Sequence, residues 1–401
     1  MLTRVDRPPA GSSQHSAGHL LWLVRTGRAT TRAELQRRTG LARSTVGQRL
    51  DALRDAGLLH ANGVTTSTGG RPPSRLEFNH RHGVVLAADL GATHARLAVF
   101  DLAGALLADS VMPLHIGDGP EPVLDWVDGE LRIVLRRSGH ADDQVRGLGI
   151  GVPGPVEFTT GVVHQPPIMP GWDGFPIADS LRRRWNVPVL VDNDANAMAF
   201  GEYTSTYPDC PSLVLVKVAT GIGAGLVLDG SVYRGIDGGA GDIGHIRVDA
   251  TSQARCMCGA SGCLAALASG AALAERLTAA GIPAASGREF VSRLTEGGPE
   301  AAALAREAGQ LVGVVLSTVI SLVNPQVLVL AGDLAGTQFV TGVREVLYQR
   351  ALPRATRNLE VVTSALGDRA GVLGLSALVV DSVYSPAEVD QRLELMNALE
   401  A

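Results

Sequence analysis

Residues 239–245 read Gly-Ala-Gly-Asp-Ile-Gly-His, and residues 256–263 read Cys-Met-Cys-Gly-Ala-Ser-Gly-Cys. The three cysteines have the spacing C-x-C-x4-C, and His245 stands eleven residues before the first of them. Three thiolates and one imidazole complete a tetrahedral zinc shell, and a shell closed by protein side chains is structural because it leaves no position for an activated water. The alternative, three reduced packing cysteines, suits the segment poorly, since its Gly and Ser spacers supply little core to fill. One structural Zn2+ per chain is therefore expected at His245, Cys256, Cys258 and Cys263. Cys210, the fourth cysteine, has no partner nearby in sequence, and four cysteines in 401 residues are too few for a disulfide scaffold.

Outward from this segment the chain alternates short apolar runs with small polar loops. Residues 83–88 lead into Asp89-Leu90-Gly91-Ala92-Thr93 and then 97–100; residues 147–152 end in Pro153-Gly154-Pro155. Residues 187–191 end in Asp192-Asn193-Asp194-Ala195-Asn196 before a helix expected near Ala197, and 213–216 lead into Thr220-Gly221-Ile222-Gly223-Ala224-Gly225. Strands that end in polar loops and feed helices describe an α/β architecture with its sites at strand ends. The strand, loop, strand pattern recurs after about 130 residues, which suggests two related lobes around a cleft. Small-residue loops of this kind let backbone N–H groups approach a phosphate.

Charge divides the chain. The net charge is −5, but residues 1–80 hold 12 Arg against 5 acidic residues (+7), leaving 23 basic against 35 acidic (−12) for the remainder. A basic module fused to an acidic body fits attraction to nucleic-acid phosphate, though a solvated basic surface has the same composition. Lys217 is the only lysine, so the positive charge is otherwise guanidinium.

Within that basic module, residues 17–25 have the spacing of a packed helix. Thr31-Arg32-Ala33-Glu34 has the form of a capping box for a second helix that ends before Gly40. From 43 to 56, Val46, Leu50 and Leu53 make one buried face, while Arg43, Ser44, Thr45, Gln48 and Arg49 crowd the exposed N-terminal half. Helix, turn, helix places those five residues at the major groove of double-stranded DNA. Residues 59–76, with Gly69-Gly70-Arg71-Pro72-Pro73, suit a two-stranded wing whose Arg71 reaches a minor groove; an interdomain linker is the alternative. The domain reading is a leader (1–16), a winged helix-turn-helix (17–80) and a cleft-bearing body (81–401) with its zinc segment at 245–263.

Segments 89–93, 151–155, 192–196, 220–225, 239–245 and 256–263 together resemble the ROK family (repressor, open reading frame, kinase), within the sugar kinase/Hsp70/actin superfamily. The resemblance implies a winged helix-turn-helix followed by a two-lobed sugar kinase-like α/β domain. In the family's kinases the Asp of an Asn-Asp pair takes the proton of a sugar hydroxyl while ATP supplies the phosphoryl group. Asp194 stands at that position, so it is catalytic only if this chain is a kinase. The resemblance also implies sugar contacts from Gly154, Asn193, Asp194, Asp242 and His245, and nucleotide-loop remnants at Asp89, Gly91, Thr93, Gly221, Gly223 and Gly332. Asn193 and Asp194 equally fit an Asx turn or helix cap, and the two readings are compatible.

Departures from the kinase pattern shape the functional expectation. Ala92 replaces a loop glycine, Asp242 a glutamate, Ile168 an asparagine, Ala265 a sugar-contacting glutamate, and Ala331-Gly332 the adenosine-side glycine pair. Phosphoryl transfer rests on positioning and electrostatics, so these changes argue against catalysis. The expectation is a sugar-responsive transcriptional regulator, a repressor of carbohydrate-utilisation genes; the alternative is an ATP-dependent sugar kinase with a DNA-binding head. Its partners would be a palindromic double-stranded operator, a sugar or sugar derivative, and a second or further copies as homodimer or homotetramer. With 45% hydrophobic and 19% charged residues the composition is that of a globular chain. Residues 1–16 carry no apolar segment of a secretory signal, and the run 311–323 is interrupted by Ser317, Thr318 and Ser321, so a cytoplasmic protein without a membrane partner is expected.

Overall fold

A computed structural model describes residues 13–62 and 75–400. The head contains three helices, α1 (Ala17–Arg25), α2 (Arg32–Thr39) and α3 (Arg43–Asp55), then strands β1 (Leu59–Asn62) and β2 (Arg75–Phe78) paired antiparallel. Its helix ends follow from local chemistry. Thr31 Oγ1 accepts from Glu34 N at 3.2 Å, Glu34 Oε2 accepts from Thr31 N at 3.1 Å, and Gly40 closes α2 at φ 68°. Val46, Leu50 and Leu53 are buried as their spacing predicts. The wing tip, with Gly69, Gly70, Arg71, Pro72 and Pro73, lies outside the described residues.

The first lobe contains β3 (Val84–Leu90), β4 (His94–Asp101), β5 (Leu106–Pro113), α4 (Pro120–Arg137), β6 (Val145–Val152), a small hairpin of β7 (Val156–Glu157) and β8 (Val162–Val163), α5 (Ile177–Trp185), β9 (Val189–Asn193) and α6 (Asp194–Thr206). The second contains β10 (Ser212–Val218), β11 (Ile222–Leu228), β12 (Ser231–Val232), α7 (Leu264–Ala268), α8 (Gly270–Ala279), α9 (Gly287–Thr295), α10 (Pro299–Val323), β13 (Val327–Ala331), α11 (Thr337–Arg350), α12 (Pro353–Thr356) and β14 (Glu360–Thr363). Helices α13 (Ala370–Val383) and α14 (Pro386–Glu400) complete the chain.

The sheets run β5-β4-β3-β6-β9 and β12-β11-β10-β13-β14. Counting strands within each lobe, both orders are 3-2-1-4-5, an antiparallel hairpin extended by two parallel strands. The recurrence seen in the sequence is thus a recurrence of topology. Each sheet covers its outer face with its own helices: α4 and α5 on the first, α7 to α11 on the second. Helices α6 and α13 fill the layer between the sheets, with Met198, Phe200 and Leu378 against Leu213, Leu215 and Val329. A Cβ on Gly374 would lie 1.8 Å from Ala197 O, so only glycine lets the backbones of α6 and α13 meet this closely.

Two features go beyond the sequence reading. Helix α6 begins at Asp194 rather than near Ala197, because Asn193 Oδ1 caps it, accepting from Ala195 N at 2.9 Å and Asn196 N at 3.4 Å. Helix α10 absorbs the apolar run 311–323 into 25 residues, long and apolar enough to cross a membrane. Its inner face, Ala305, Ala308, Val312 and Leu316, is nevertheless fully packed in the core of the second lobe.

The head is fused to the body. Leu20, Leu35, Leu50 and Leu53 form one continuous core with Val85 and Phe100 of the first sheet and Val379, Tyr384 and Val389 near the C-terminus. Gly18 N donates to Asp390 Oδ1 at 2.7 Å, Arg25 pairs with Asp381 at 2.6 Å, and Tyr384 meets Phe78 edge-on at 5.2 Å. The Tyr384 hydroxyl lies 3.2 Å from His82 Nδ1.

Candidate functional site

A cleft of about 970 Å3 opens between the lobes, and the residues singled out for sugar, nucleotide and metal converge on it. One corner is the zinc segment. His245 Nδ1 lies 3.4 Å from Cys256 Sγ, Cys258 Sγ lies 3.8 Å from Cys263 Sγ, and the four ligand atoms are all within 4.8 Å of one another. A tetrahedron with Zn–S bonds of about 2.3 Å has sulfur–sulfur edges of about 3.8 Å, so the four side chains fit a closed zinc shell. Burial pushes the Cys263 thiol up to about 12 and raises that of Cys256, whereas a hydrogen bond from the Ala260 backbone lowers that of Cys258. Thiolates buried in this way require a compensating cation. Zinc here would tie the 245–263 segment together and supply no reactive water. With Nδ1 turned to the cysteines, Nε2 of His245 is the nitrogen left for the cleft.

The floor of the cleft is built from the ends of β9, β3 and β10. Asn193 is committed at both ends of its amide: Oδ1 caps α6, and Nδ2 donates to Gly154 O at 3.1 Å. Asp194 is buried, with Oδ1 accepting from Ala195 N at 2.7 Å and Oδ2 held 2.5 Å from Lys217 Nζ. Asp192, beneath it, is buried against Arg234 at 2.5 Å and accepts from Asn196 Nδ2 at 3.0 Å. Burial raises Asp89 to about 6 despite the opposing pull of Lys217, and its Oδ1 is enclosed without a hydrogen-bond partner. Lys217 and Arg234 are the residues sequence reasoning missed. For Lys217 the signal was available: a charged residue inside the apolar run Leu213-Val214-Leu215-Val216-Lys217-Val218.

The remaining candidates sort by position. Gly91, Thr93, Gly221, Gly223 and Gly332 all line the cleft, so the loops of both lobes face each other. Asp242 is exposed on its rim. Ala92, Ile168 and Ala265 line it too, so the side chains that differ from the kinase pattern sit where a ligand would lie. In the head, Arg43, Ser44 and Gln48 are exposed, and Thr45 and Arg49 are half-buried on the N-terminal half of α3, with Arg49 Nη1 enclosed in the protein. Helix α13 connects the cleft floor to the head. Its first turn meets the cleft floor, where a Cβ on Gly371 would lie 2.0 Å from Asp89 Oδ2, and Tyr384 at its end packs on the head.

Comparison with known proteins agrees with this geometry. The chain is 27% identical over 375 residues to a xylose repressor of Caldicellulosiruptor bescii, spanning 88% of this chain and 92% of that protein. It is 29% identical over 314 residues to a glucokinase of Halalkalibacterium halodurans, spanning 73% of this chain and 94% of the enzyme. The crystal structure of a ROK family transcriptional regulator, a homologue of the Escherichia coli MLC protein, superposes with a TM-score of 0.79 at 27% identity, covering 94% of this chain and 98% of that one. The model of the ROK family matches residues 85–382, nearly the whole two-lobed body, and the chain belongs to that family.

Proposed function

We propose that this protein is a sugar-responsive DNA-binding transcriptional regulator, a repressor of carbohydrate-utilisation genes, whose kinase-derived cleft binds a sugar without phosphorylating it. The observation that carries this reading is the continuity from cleft to head: the first turn of α13 packs against Asp89 and its last turn lies in the core that holds the head's helices. A ligand at the cleft floor then has a packed route to α3. The similarity to a xylose repressor over 88% of this chain and to a ROK family transcriptional regulator over 94% of it supports the same reading.

Asp194, Asp242 and His245 Nε2, with the second N–H of Asn193 Nδ2, would bind the sugar's hydroxyls, with Gly154 shaping the wall. Asp194 is poorly placed as a general base, because both its oxygens already accept hydrogen bonds. In the head, Arg43, Gln48 and Arg49 would reach base edges, Ser44 and Thr45 the phosphates, and Arg71 the minor groove. Two heads on a palindromic operator require a symmetric dimer or tetramer in the cytoplasm. Zinc at His245, Cys256, Cys258 and Cys263 would hold the sugar-facing histidine in place.

The test is DNA binding by the full chain, on operators selected from random sequence, titrated against a panel of sugars, with ADP release measured in parallel. We expect one sugar to change DNA affinity by roughly 5–150-fold, the usual range of allosteric coupling, with no ADP released. Sugar-dependent ADP release without any change in DNA affinity would establish the kinase instead.

A further inference from the structure

The sugar-sensor reading leaves Lys217 without a role. It is the chain's only lysine, and it reaches from β10 of the second lobe to Asp194 of the first at 2.5 Å. Asp89, also of the first lobe, attracts the same ammonium, as does Asp333 at the mouth of the second lobe's loops. Asp368 lines the cleft nearby and raises Asp89 further. Asp194 therefore contacts the ammonium, Asp89 and Asp333 attract it, and Asp368 lines the same cleft, between the two loops whose geometry suits phosphate.

Each class of ligand fares differently in that field. A metal–nucleotide would bring its divalent cation to these carboxylates, but Lys217 already holds the Asp194 oxygen at contact distance, and two cations cannot share it without strong repulsion. A free phosphate ester would meet Asp89, Asp194, Asp333 and Asp368, while of the Lys and Arg side chains that line the cleft Lys217 is already paired with Asp194 and Arg96 with Asp109, leaving Arg255 and Arg288 to offset them. A neutral polyol meets neither cost, and its hydroxyls can donate to the carboxylates that line the cleft. Resting on the sugar-sensor reading, we propose that Lys217 is the resident cation of the cleft floor, standing where a metal–nucleotide would place its own, and that, with Lys217 excluding the metal and the carboxylates disfavouring a phosphate ester, the cleft takes uncharged sugars. It is a specificity-determining residue: the ammonium takes the metal's seat and leaves the hydroxyl-binding groups in place.

The test measures Mn2+ and MgADP binding by calorimetry on the full-length wild type and on Lys217→Met, which keeps the side chain's length and removes its charge. The wild type should bind neither in the millimolar range, and Lys217→Met should bind Mn2+ at least about tenfold more tightly, with the gain abolished in Lys217→Met/Asp194→Asn. Wild-type binding of Mn2+ or MgADP as tight as the variant's overturns the proposal. A second measurement stands if Lys217→Met does not fold: thermal shift of the wild type with glucose, xylose and N-acetylglucosamine against their phosphate esters. Protection by a neutral sugar and not by its ester supports the assignment, and the reverse overturns it. If no sugar or ester protects while the Mn2+ result is as expected, the sensor reading fails and the role of Lys217 as resident cation stands.

Discussion

Replacing Gly18 by alanine should uncouple the DNA-reading head from the cleft. A Cβ at this position would lie 2.1 Å from Pro386 O and 2.8 Å from Pro386 Cα, backbone atoms at the start of α14 that cannot swing aside. An ordinary carbon contact needs about 3.5 Å, so α1 must retreat from α14 by more than about 1 Å. That retreat breaks the 2.7 Å bond from Gly18 N to Asp390 Oδ1, and a hydrogen bond to a charged group contributes about 1.5–3 kcal/mol. Overpacking adds roughly 1–3 kcal/mol, and the entropic preference of a helix for alanine returns about 0.5–1 kcal/mol. The net is about 3 kcal/mol, on the order of a hundredfold shift away from the docked head. Trp22 on α1 reports the head, and Trp126, Trp172 and Trp185 the body; single-Trp variants followed by fluorescence should show the head loosening first. DNA binding should survive while its response to sugar is lost. Gly129→Ala on α4, where a Cβ meets nothing within 4 Å, is the control. A Gly18→Ala protein that melts within about 1 °C of wild type and keeps its full sugar response would show that the seam is not the coupling element.

Protein purified without chelator should contain one zinc per chain by elemental analysis, and Cys258→Ser should lose both the metal and part of the melting temperature; metal-free protein with unaltered melting would refute this. Arg43→Ala and Arg49→Ala should each cost on the order of 1–3 kcal/mol of operator affinity and relax preference at one base pair, read by selection from random DNA. Burial holds His19 and His82 below the ordinary 6.5, and Arg146 and Arg392 facing His82 lower it further. Each favours the folded state when neutral, so its contribution is complete above pH 6.5 and disappears as pH falls through its lowered value. Melting temperature should thus drop on acidification below about pH 6.5, and His82→Gln should flatten that dependence. Ala265→Glu returns a carboxylate to a cleft that Ile168 and Ala265 leave short of polar partners, at about 1–3 kcal/mol per unpaired buried group. Wild type should therefore prefer a deoxy, pentose, N-acylated or oligomeric sugar, and the variant should move toward glucose in calorimetry.

What could be read from the sequence was what depends on neighbours in sequence. The ends of α2 followed from Thr31, Glu34 and Gly40, all within one helix, and the cluster of His245, Cys256, Cys258 and Cys263 from a spacing that folds into a single loop. Two parallel lobes were visible as a recurring strand and loop, but the shared 3-2-1-4-5 order depends on crossovers that leave no local mark. Asn193 shows why the α6 boundary was misplaced: the same residue type caps a helix or binds a hydroxyl, and here its Oδ1 is taken by the cap. The seam between head and body was invisible because Gly18 and Asp390 are separated by 372 positions, and neither helix carries a signal that names its partner. Lys217 was noticed as a count and not as a site, since its meaning depends on carboxylates that another lobe brings to it.

These long-range contacts also fix how a sugar could act at a distance. A ligand shifts DNA affinity only by as much as it favours one arrangement of the molecule over another. The groups at the cleft floor are divided between lobes, Asn193 and Asp194 at the start of α6 and Lys217 on β10, so a ligand seated among them alters how the lobes meet. Helix α6 cannot shift alone, because Gly374 and Gly201 bring its backbone against that of α13, with Ala197 O and Ala370 O at 1.8 and 2.1 Å from where a side chain would begin. Close-packed contacts of this kind transmit displacement rather than absorb it. Helix α13 therefore moves with α6, and its far end, Asp381 and Tyr384, is held to Arg25 and Phe78 of the head and to His82 just beyond it. On the proposed function, a rotation at the cleft would reorient α3, and in a symmetric dimer it would change the distance between the two α3 helices, the quantity on which half-site spacing depends.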